Sequence, residues 1–318
     1  MKRIAVIMAG GSGERFWPMS RPDRPKQLLR LTSPDETMLE EAVGRIRPLV
    51  GEDNVYVATS ASLQDTIRGA AVVPDVRVLA EPLRRNTLGC LVWVAASLLA
   101  DGEADASVAV LTADHKIESP DLFRGTVEAA LKTAESTGGL VTIGITPDRP
   151  ETGYGYIEFD PSDETAVDGR VAYRSRSFRE KPDLGTAREF VAAGNFLWNA
   201  GMFFYTLPGF LKELEKAQPE SWAILQEIAT HLVANDEPAA VAAFERLPNL
   251  SIDYALMEKA ETVHVVPSDF PWDDVGAWDS LERSLGADET ANVRQGESIV
   301  LDGAGNIVVN DRPGTTVG

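Results

Sequence analysis

Cysteine and histidine are scarce in this sequence of 318 residues. The one cysteine, Cys90, excludes a disulfide within the chain and favours a reducing compartment, so we expect a cytoplasmic protein. The three histidines, His115, His231 and His264, do not have the spacing of zinc ligands. The composition therefore predicts neither a disulfide-bonded scaffold nor a zinc enzyme.

Long apolar runs and an excess of positive charge are also missing. No run approaches the roughly 20 residues that cross a bilayer, and the apolar run 4–8 is too short for a secretion signal. The formal charge of −19 argues against nucleic acid and anionic membranes as partners. An apolar fraction of 44% is ordinary for a folded domain, so we expect a sizeable core.

A local excess of positive charge lies near the N-terminus. Residues 1–30 contain seven lysines and arginines but only two acids, Glu14 and Asp23, so this segment is formally +5 within a chain of −19. A positive segment in an acidic protein indicates a focused binding site for an anion. The alternative, a solvated helix face, is disfavoured because glycines and prolines interrupt the segment.

Strand-like and helix-like segments alternate over residues 3–145. The β-rich runs are 4–8, 54–59, 76–80, 106–112 and 140–145, and the helical patterns are 38–50, 61–71, 86–100 and 119–136. This alternation predicts an α/β fold with a Rossmann-like, mostly parallel sheet and helices on both faces. We expect one large domain over 1–288 and a small β-rich tail over 289–318; the family resemblance described below implies that the first is catalytic and that the tail is truncated.

A glycine-rich loop follows the first predicted strand and comprises Gly10, Gly11, Ser12, Gly13 and Glu14. Glycines let the backbone turn sharply, and successive N–H groups in such a turn form a cradle for an anion. The Walker pattern fails because no Gly-Lys pair is present, and the dinucleotide pattern fails at its third glycine. The loop therefore predicts a triphosphate site, with an ordinary glycine turn as the alternative.

The loop also carries a recognisable motif. Gly-Gly-Ser-Gly-Glu-Arg-Phe-Trp-Pro-Met-Ser at 10–20, with Arg-Pro-Lys-Gln-Leu at 24–28, resembles the sugar-1-phosphate nucleotidyltransferases. The Phe-Trp-Pro variant is similar to the mannose-1-phosphate guanylyltransferase branch. The resemblance implies that GTP and α-D-mannose 1-phosphate are the partners and that GDP-mannose and pyrophosphate are the products. Another nucleotide or sugar such as glucose 1-phosphate, a non-catalytic regulatory protein that binds nucleotide sugars, and a dehydrogenase are the alternatives.

The resemblance implies roles on the nucleotide side. Arg15 and Lys26 would be the catalytic cations that stabilise the leaving pyrophosphate, with the 10–14 loop around the phosphates. Glu81, in Glu-Pro-Leu-Arg-Arg-Asn-Thr, could accept hydrogen bonds from both donors of guanine. Asn86 would either contact the nucleotide or cap the helix that follows it.

Two aspartates resemble the metal ligands of the family. Asp114 in Leu-Thr-Ala-Asp-His and Asp274 in Asp-Val-Gly-Ala-Trp are implied to hold Mg²⁺, which takes carboxylate and phosphate oxygens together. Thr112 stands where the family has proline, and Ala277 where it has serine. Without the resemblance, Asp114 could cap a turn and Asp274 could belong to an acidic turn before a helix.

Three later motifs are implied to hold the sugar phosphate. Lys181 would supply charge for the phosphate, while Glu180, Asn199 and the backbone of Gly155 would bind sugar hydroxyls. Each motif is weak alone, since a glycine in a strand is often only a bulge. Six motifs in the family's order over residues 1–285 are far more specific. The sequence leaves the oligomeric state open, with a homodimer as one option.

Overall fold

The computed structural model describes residues 1–11, 13–310 and 314–318. Ser12, one of the predicted nucleotide-binding residues, lies outside this part. Among the described residues, no helix has both the length and the apolar character needed to cross a membrane.

Thirteen strands are found within the described ranges. They are β1 Arg3–Met8, β2 Val55–Ser60, β3 Val78–Glu81, β4 Ser107–Thr112, β5 Lys116–Ile117, β6 Leu140–Ile145, β7 Gly155–Val167, β8 Arg170–Glu180, β9 Phe196–Thr206, β10 Val263–Pro267, β11 Trp272–Asp273, β12 Val293–Gln295 and β13 Ile307–Val309. The helices are α1 Met38–Val50, α2 Gln64–Gly69, α3 Asn86–Ala100, α4 Pro120–Thr137, α5 Leu184–Ala193, α6 Leu207–Ala217, α7 Pro219–Val233, α8 Glu237–Phe244 and α9 Ser280–Leu285, with a π-helix at Asp253–Met257.

Nine strands form one central sheet in the order β3-β2-β1-β4-β9-β6-β10-β8-β7. The strands β3, β2, β1 and β4 pair in parallel, as do β6 and β10. The predicted parallel strands of residues 3–145 are therefore confirmed. The sequence pattern did not predict that β9 would enter between β4 and β6, antiparallel to both.

Each face of the sheet carries its own core. On one face, α3 and α6 pack against the strands, with α7 packed on these two helices and α8 on α7, and on the other face α1 and α4 pack against the strands. Helix α3 is apolar nearly all round because it lies between the sheet and α7. Burying one leucine or valine, such as Leu91 or Val92, contributes roughly 1.5–3 kcal/mol.

The start of α3 tests one of the two predicted roles of Asn86, that of the helix cap. Asn86 is the first residue of the helix, whereas Arg85 is the N-cap position and makes no side-chain cap. The Asn86 backbone has a positive φ of 59°, and its side-chain oxygen accepts a hydrogen bond from Thr87 N. The prediction that Asn86 caps the helix is therefore wrong. The other predicted role, a contact with the nucleotide, stays a prediction.

The tail packs back on the N-terminal segment. Strands β12 and β13 pair in parallel, and Val293 is buried in a small core with Phe16, Leu29 and Val275. The side-chain amide of Gln295 also donates a hydrogen bond to the carbonyl oxygen of Arg30. This small core contains residues from the tail, from the segment after β1 and from the segment after β11. Its packing therefore fixes these three segments relative to one another.

Candidate active site

The loop after β1 needs glycine because another segment lies against it. Gly13 has a φ of +65°, and a Cβ built there would lie only 2.4 Å from the Cβ of Lys26. The side-chain amide of Gln27 donates a 3.1 Å hydrogen bond to the carbonyl oxygen of Gly11. The loop therefore closes directly over the Pro-Lys-Gln segment, which explains why both motifs occur together. Glu14 is exposed and lines a neighbouring cavity with Trp17.

Lys26 is buried and its ammonium joins two distant parts of the chain. It lies 2.8 Å from Oδ2 of Asp114 and also donates to the carbonyl oxygens of Asp114 at 3.2 Å and of Asp274 at 3.4 Å. Only 6% of Lys26 is exposed, and a buried charge is stable only when paired. The acidic segments after β4 and β11 therefore meet at one cation.

The environment of Asp114 favours its charged form. Burial alone would raise the pKa of this carboxyl, but the Lys26 ammonium and then His115 hold the pKa below its ordinary value. Burial lowers the pKa of His115, whose Nδ1 accepts a 3.1 Å hydrogen bond from the indole of Trp272. A carboxylate at this point is thus available at neutral pH to bind a cation.

Asp274 is held by neighbours on two sides. The Tyr154 hydroxyl donates a 2.7 Å hydrogen bond to its Oδ1, and burial, with Asp274 itself, raises the pKa of Tyr154 so that it stays a donor. A Cβ at Gly276 would lie 2.8 Å from Asp274 Oδ2, so only glycine keeps that oxygen accessible. Arg15 reaches the same turn, with its guanidinium 3.4 Å from the carbonyl oxygen of Gly276. Lys26 therefore lies beside both predicted metal ligands, and Arg15 lies beside the turn that carries Asp274.

A cavity of about 390 Å³ opens next to this cluster. Its lining includes the predicted nucleotide-binding residues Gly10, Gly11, Glu81 and Asn86, with Gln27, Thr112 and Asp114. Buried side-chain oxygens of Gln27, Glu81 and Thr112 have no hydrogen-bond partner among the described residues. Burial raises the pKa of Glu81 to about 7. Buried polar atoms are normally bonded, so this wall is built to receive polar groups of a ligand.

The predicted sugar-phosphate residues lie on the antiparallel part of the sheet. Gly155 faces Glu180 across β7 and β8, and a Cβ on Gly155 would lie 2.6 Å from Glu180 Oε2. Lys181 follows with a positive φ of 46°, and its ammonium pairs with Glu180 Oε1 at 3.0 Å. The backbone N–H of Lys181 donates to the carbonyl oxygen of Tyr154, which ties this turn to the Asp274 side.

Asn199 lies in β9, where its pairing with β6 is irregular. Its Oδ1 accepts hydrogen bonds of 3.1 Å from Thr142 Oγ1 and Gly201 N, and its Nδ2 donates to Asp253 Oδ1 at 3.1 Å. Burial, followed by the charge of Glu180, raises the pKa of Asp253 to about 6. Sequence reasoning missed Asp253. The one available signal was a lone acid in the apolar stretch 252–257.

Comparison with known proteins assigns the fold that bears this site. The profile described as "Nucleotidyl transferase" matches residues 4–290. The chain belongs to the nucleotidyl transferase family. A crystal structure titled as a mannose-1-phosphate geranyltransferase from Thermus thermophilus matches this nucleotidyl transferase with a TM-score of 0.86 and 36% identity, covering 100% of this chain and 89% of that one. The predicted α/β fold is thereby confirmed.

Two curated relatives of this nucleotidyl transferase are similar over nearly its whole length. The alginate biosynthesis protein AlgA of Pseudomonas aeruginosa is 37% identical over 313 residues, covering 94% of this chain and 62% of AlgA. The mannose-1-phosphate guanylyltransferase of Escherichia coli is 37% identical over 308 residues, covering 94% and 63%. The chain thus spans less than two thirds of the length of these relatives. A UDP-glucose pyrophosphorylase from Acinetobacter, at 15% identity and a TM-score of 0.57, shares the fold.

Proposed function

We propose that this nucleotidyl transferase moves the guanylyl group of GTP to α-D-mannose 1-phosphate and releases GDP-mannose and pyrophosphate. The observation that carries the proposal is the meeting of Asp114 and Asp274 at the buried Lys26 ammonium, beside the glycine loop. Two polyanions must approach each other in this reaction, so cations are needed where they join. The 37% identity to the mannose-1-phosphate guanylyltransferase of Escherichia coli supports the choice of substrates.

The donor set at this point fits a hard divalent cation. The Lys26 ammonium contacts the carboxylate of Asp114 and the backbone carbonyl oxygen of Asp274, and the glycine at 276 leaves Asp274 Oδ2 free of steric cover. Mg²⁺ commonly takes one or two carboxylates and completes its shell with waters and substrate phosphates. When bound, Mg²⁺ would neutralise phosphate charge.

The chain's own groups account for the remaining chemistry. An oxygen of the sugar phosphate attacks the α-phosphorus of GTP, and the bond from that phosphorus to the bridging oxygen of pyrophosphate breaks on the opposite side. The attacking oxygen is already ionised at neutral pH, so no general base is required. Arg15 and Lys26 stabilise the charge that gathers on pyrophosphate, and the glycine loop holds the phosphates in line.

Recognition of the two substrates is divided between the two parts of the sheet. Glu81 accepts hydrogen bonds from the ring N–H and the exocyclic amine of guanine, a pair that adenine and uracil do not offer. Asn86 lies in the same cavity wall. On the other part, Glu180, Asn199 and the Gly155 backbone bind sugar hydroxyls, and Lys181 binds the sugar's phosphate.

The decisive experiment measures pyrophosphate release from mannose 1-phosphate with each of the four nucleoside triphosphates, and from glucose 1-phosphate with GTP. We expect release to be fastest with GTP and mannose 1-phosphate and to depend on Mg²⁺. Faster release with another nucleotide or with glucose 1-phosphate would replace the proposed substrates but keep the reaction class. Binding of GDP-mannose without any release would instead identify a regulatory protein.

A further inference from the structure

An aromatic cluster joins the two acidic segments, and its rings are not part of the lining of the nucleotide cavity. The Trp272 and His115 rings meet edge to face at 5.2 Å, and the Trp272 indole N–H donates to His115 Nδ1 at 3.1 Å. Trp272 immediately precedes the two aspartates of the 273–274 segment, and His115 immediately follows Asp114. A direct contact therefore joins one acidic segment to the other.

Tyr154 extends this cluster to the carboxylate itself. Its ring packs edge to face against Trp272 at 5.5 Å and against Trp198 at 5.2 Å, which fixes the ring from two sides. Its hydroxyl then donates the 2.7 Å hydrogen bond to Asp274 Oδ1. A rigid aromatic ring thus delivers one hydrogen bond to one chosen oxygen of the carboxylate.

We propose that Tyr154, Trp272 and His115 form a brace that sets the separation and orientation of Asp114 and Asp274 as ligands of a divalent cation, with Tyr154 as the principal positioning residue. This inference rests on the proposed function, since it assumes that the two carboxylates hold a metal. The hydrogen bond to Oδ1 leaves Oδ2, the oxygen beside Gly276, as the one that faces the cation.

The carboxylate of Asp273, next to Asp274 in the sequence, does not take part in the brace. Asp273 Oδ2 pairs with the Arg283 guanidinium at 2.7 Å, and its Oδ1 accepts a hydrogen bond from Val275 N at 2.8 Å. Because Asp273 is bonded elsewhere, Asp274 alone of this pair is aimed by the brace. Partners that orient ligand carboxylates in this way typically change metal affinity or activity by roughly 10- to 100-fold when removed.

The test compares two tyrosines that differ in what their hydroxyl contacts. Y154F removes the bond to Asp274, whereas Y156F removes a similar 2.8 Å bond to the carbonyl oxygen of Glu151. Binding of Mn²⁺ to the ligand-free protein is measured by electron paramagnetic resonance, and the thermal midpoint of each variant is recorded. We expect the Mn²⁺ dissociation constant to rise about 10- to 100-fold in Y154F and to stay within about twofold in Y156F. W272F should have a smaller effect in the same direction.

D274N separates failure of the brace from failure of the metal site. Loss of Mn²⁺ binding in D274N with wild-type affinity in Y154F would overturn the brace and leave the proposed function standing. Equal weakening in Y154F and Y156F would also overturn it, because a general loss of packing would then explain both. Unchanged Mn²⁺ binding in D274N would remove the metal assignment and the brace together.

Discussion

On the proposed nucleotide side of the site, buried polar atoms of Gln27, Glu81 and Thr112 have no hydrogen-bond partner within the described residues. On the proposed sugar side, Glu180 and Asn199 are bonded to other side chains of the protein. The first wall can therefore accept a ligand without losing internal bonds, whereas on the second a sugar must exchange with bonds already made. Substitutions on the two sides should consequently alter different kinetic parameters.

The largest effect is expected where the two sides meet, at Lys26. We expect Lys26→Ala to lower kcat by two to three orders of magnitude, about 3 kcal/mol, because a preorganised cation beside the pyrophosphate is lost. Steady-state rates of pyrophosphate release give the result, with Lys2→Ala as the control, since Lys2 pairs with Glu103 at the surface. Turnover near that of the wild type would exclude Lys26 from the chemistry, and thermal unfolding would show whether the fold survives.

The difference between the parallel and antiparallel parts of the sheet explains how much of the fold and site the sequence could predict. The strands of the parallel part follow one another along the chain with helices between them, so their parallel pairing and the placement of Glu81 and Asp114 at strand ends followed from local pattern. The antiparallel part is assembled from distant pieces, with β9 inserted between β4 and β6. No local signal reports such a pairing. Asp253, which reaches Asn199 from a π-helix, was missed because its one local signal, an acid in an apolar stretch, does not report this distant contact.

Resemblance supplied roles that pattern alone could not. The glycine loop by itself indicated an anion site and left an ordinary turn as an alternative, and the structure adds why Gly13 is needed, since Lys26 packs against it. The resemblance also paired Asp114 with Asp274, residues 160 positions apart that meet at one ammonium. The role of Asn86 as a helix cap was wrong because the cap position belongs to Arg85.

Base selectivity should depend on the open wall of the nucleotide side. We expect Glu81→Gln to lower kcat/KM for GTP about 10- to 100-fold, because the amide nitrogen cannot accept the second guanine donor and one polar group is left unpaired. KM for mannose 1-phosphate should change little. Competing GTP and ATP assays provide the measurement. Retention of the wild-type preference for GTP would show that Glu81 does not contact the base.

On the proposed sugar side, substitutions should act by changing the hydrogen bonds that orient the binding residues. We expect Asp253→Asn to raise KM for mannose 1-phosphate about tenfold, because an amide in place of the carboxylate weakens the bond that orients the Asn199 carboxamide. KM for GTP should stay near its wild-type value. Asp236→Asn, at the exposed N-cap of α8, is a matched control. Equal changes in both KM values would mean that Asp253 acts on the whole fold.

The smallest expected effect is a change of GTP affinity with pH, which should arise from Glu81 on the proposed nucleotide side. Because the pKa of Glu81 is about 7 in the folded protein, most molecules carry a proton there at pH 6, and that proton must leave before guanine can be accepted. GTP affinity should therefore rise by up to about tenfold from pH 6 to pH 8 and level off above the pKa. Calorimetric titration of the wild type and of Glu81→Gln isolates this contribution, since the phosphates of GTP titrate identically in both. Parallel pH profiles would show that Glu81 keeps one charge state throughout.

A rise in pH should change folding stability and GTP affinity in opposite directions. The unfolded carboxyl has an ordinary pKa of 4.5, so between pH 4.5 and about 7 it is ionised in the unfolded chain while buried Glu81 stays protonated in the folded one, and stability falls as pH rises. Thermal unfolding of the free wild type and of Glu81→Gln over this range measures the difference. A free protein that loses stability there while gaining affinity for GTP would identify Glu81 as a group kept unpaired for its ligand.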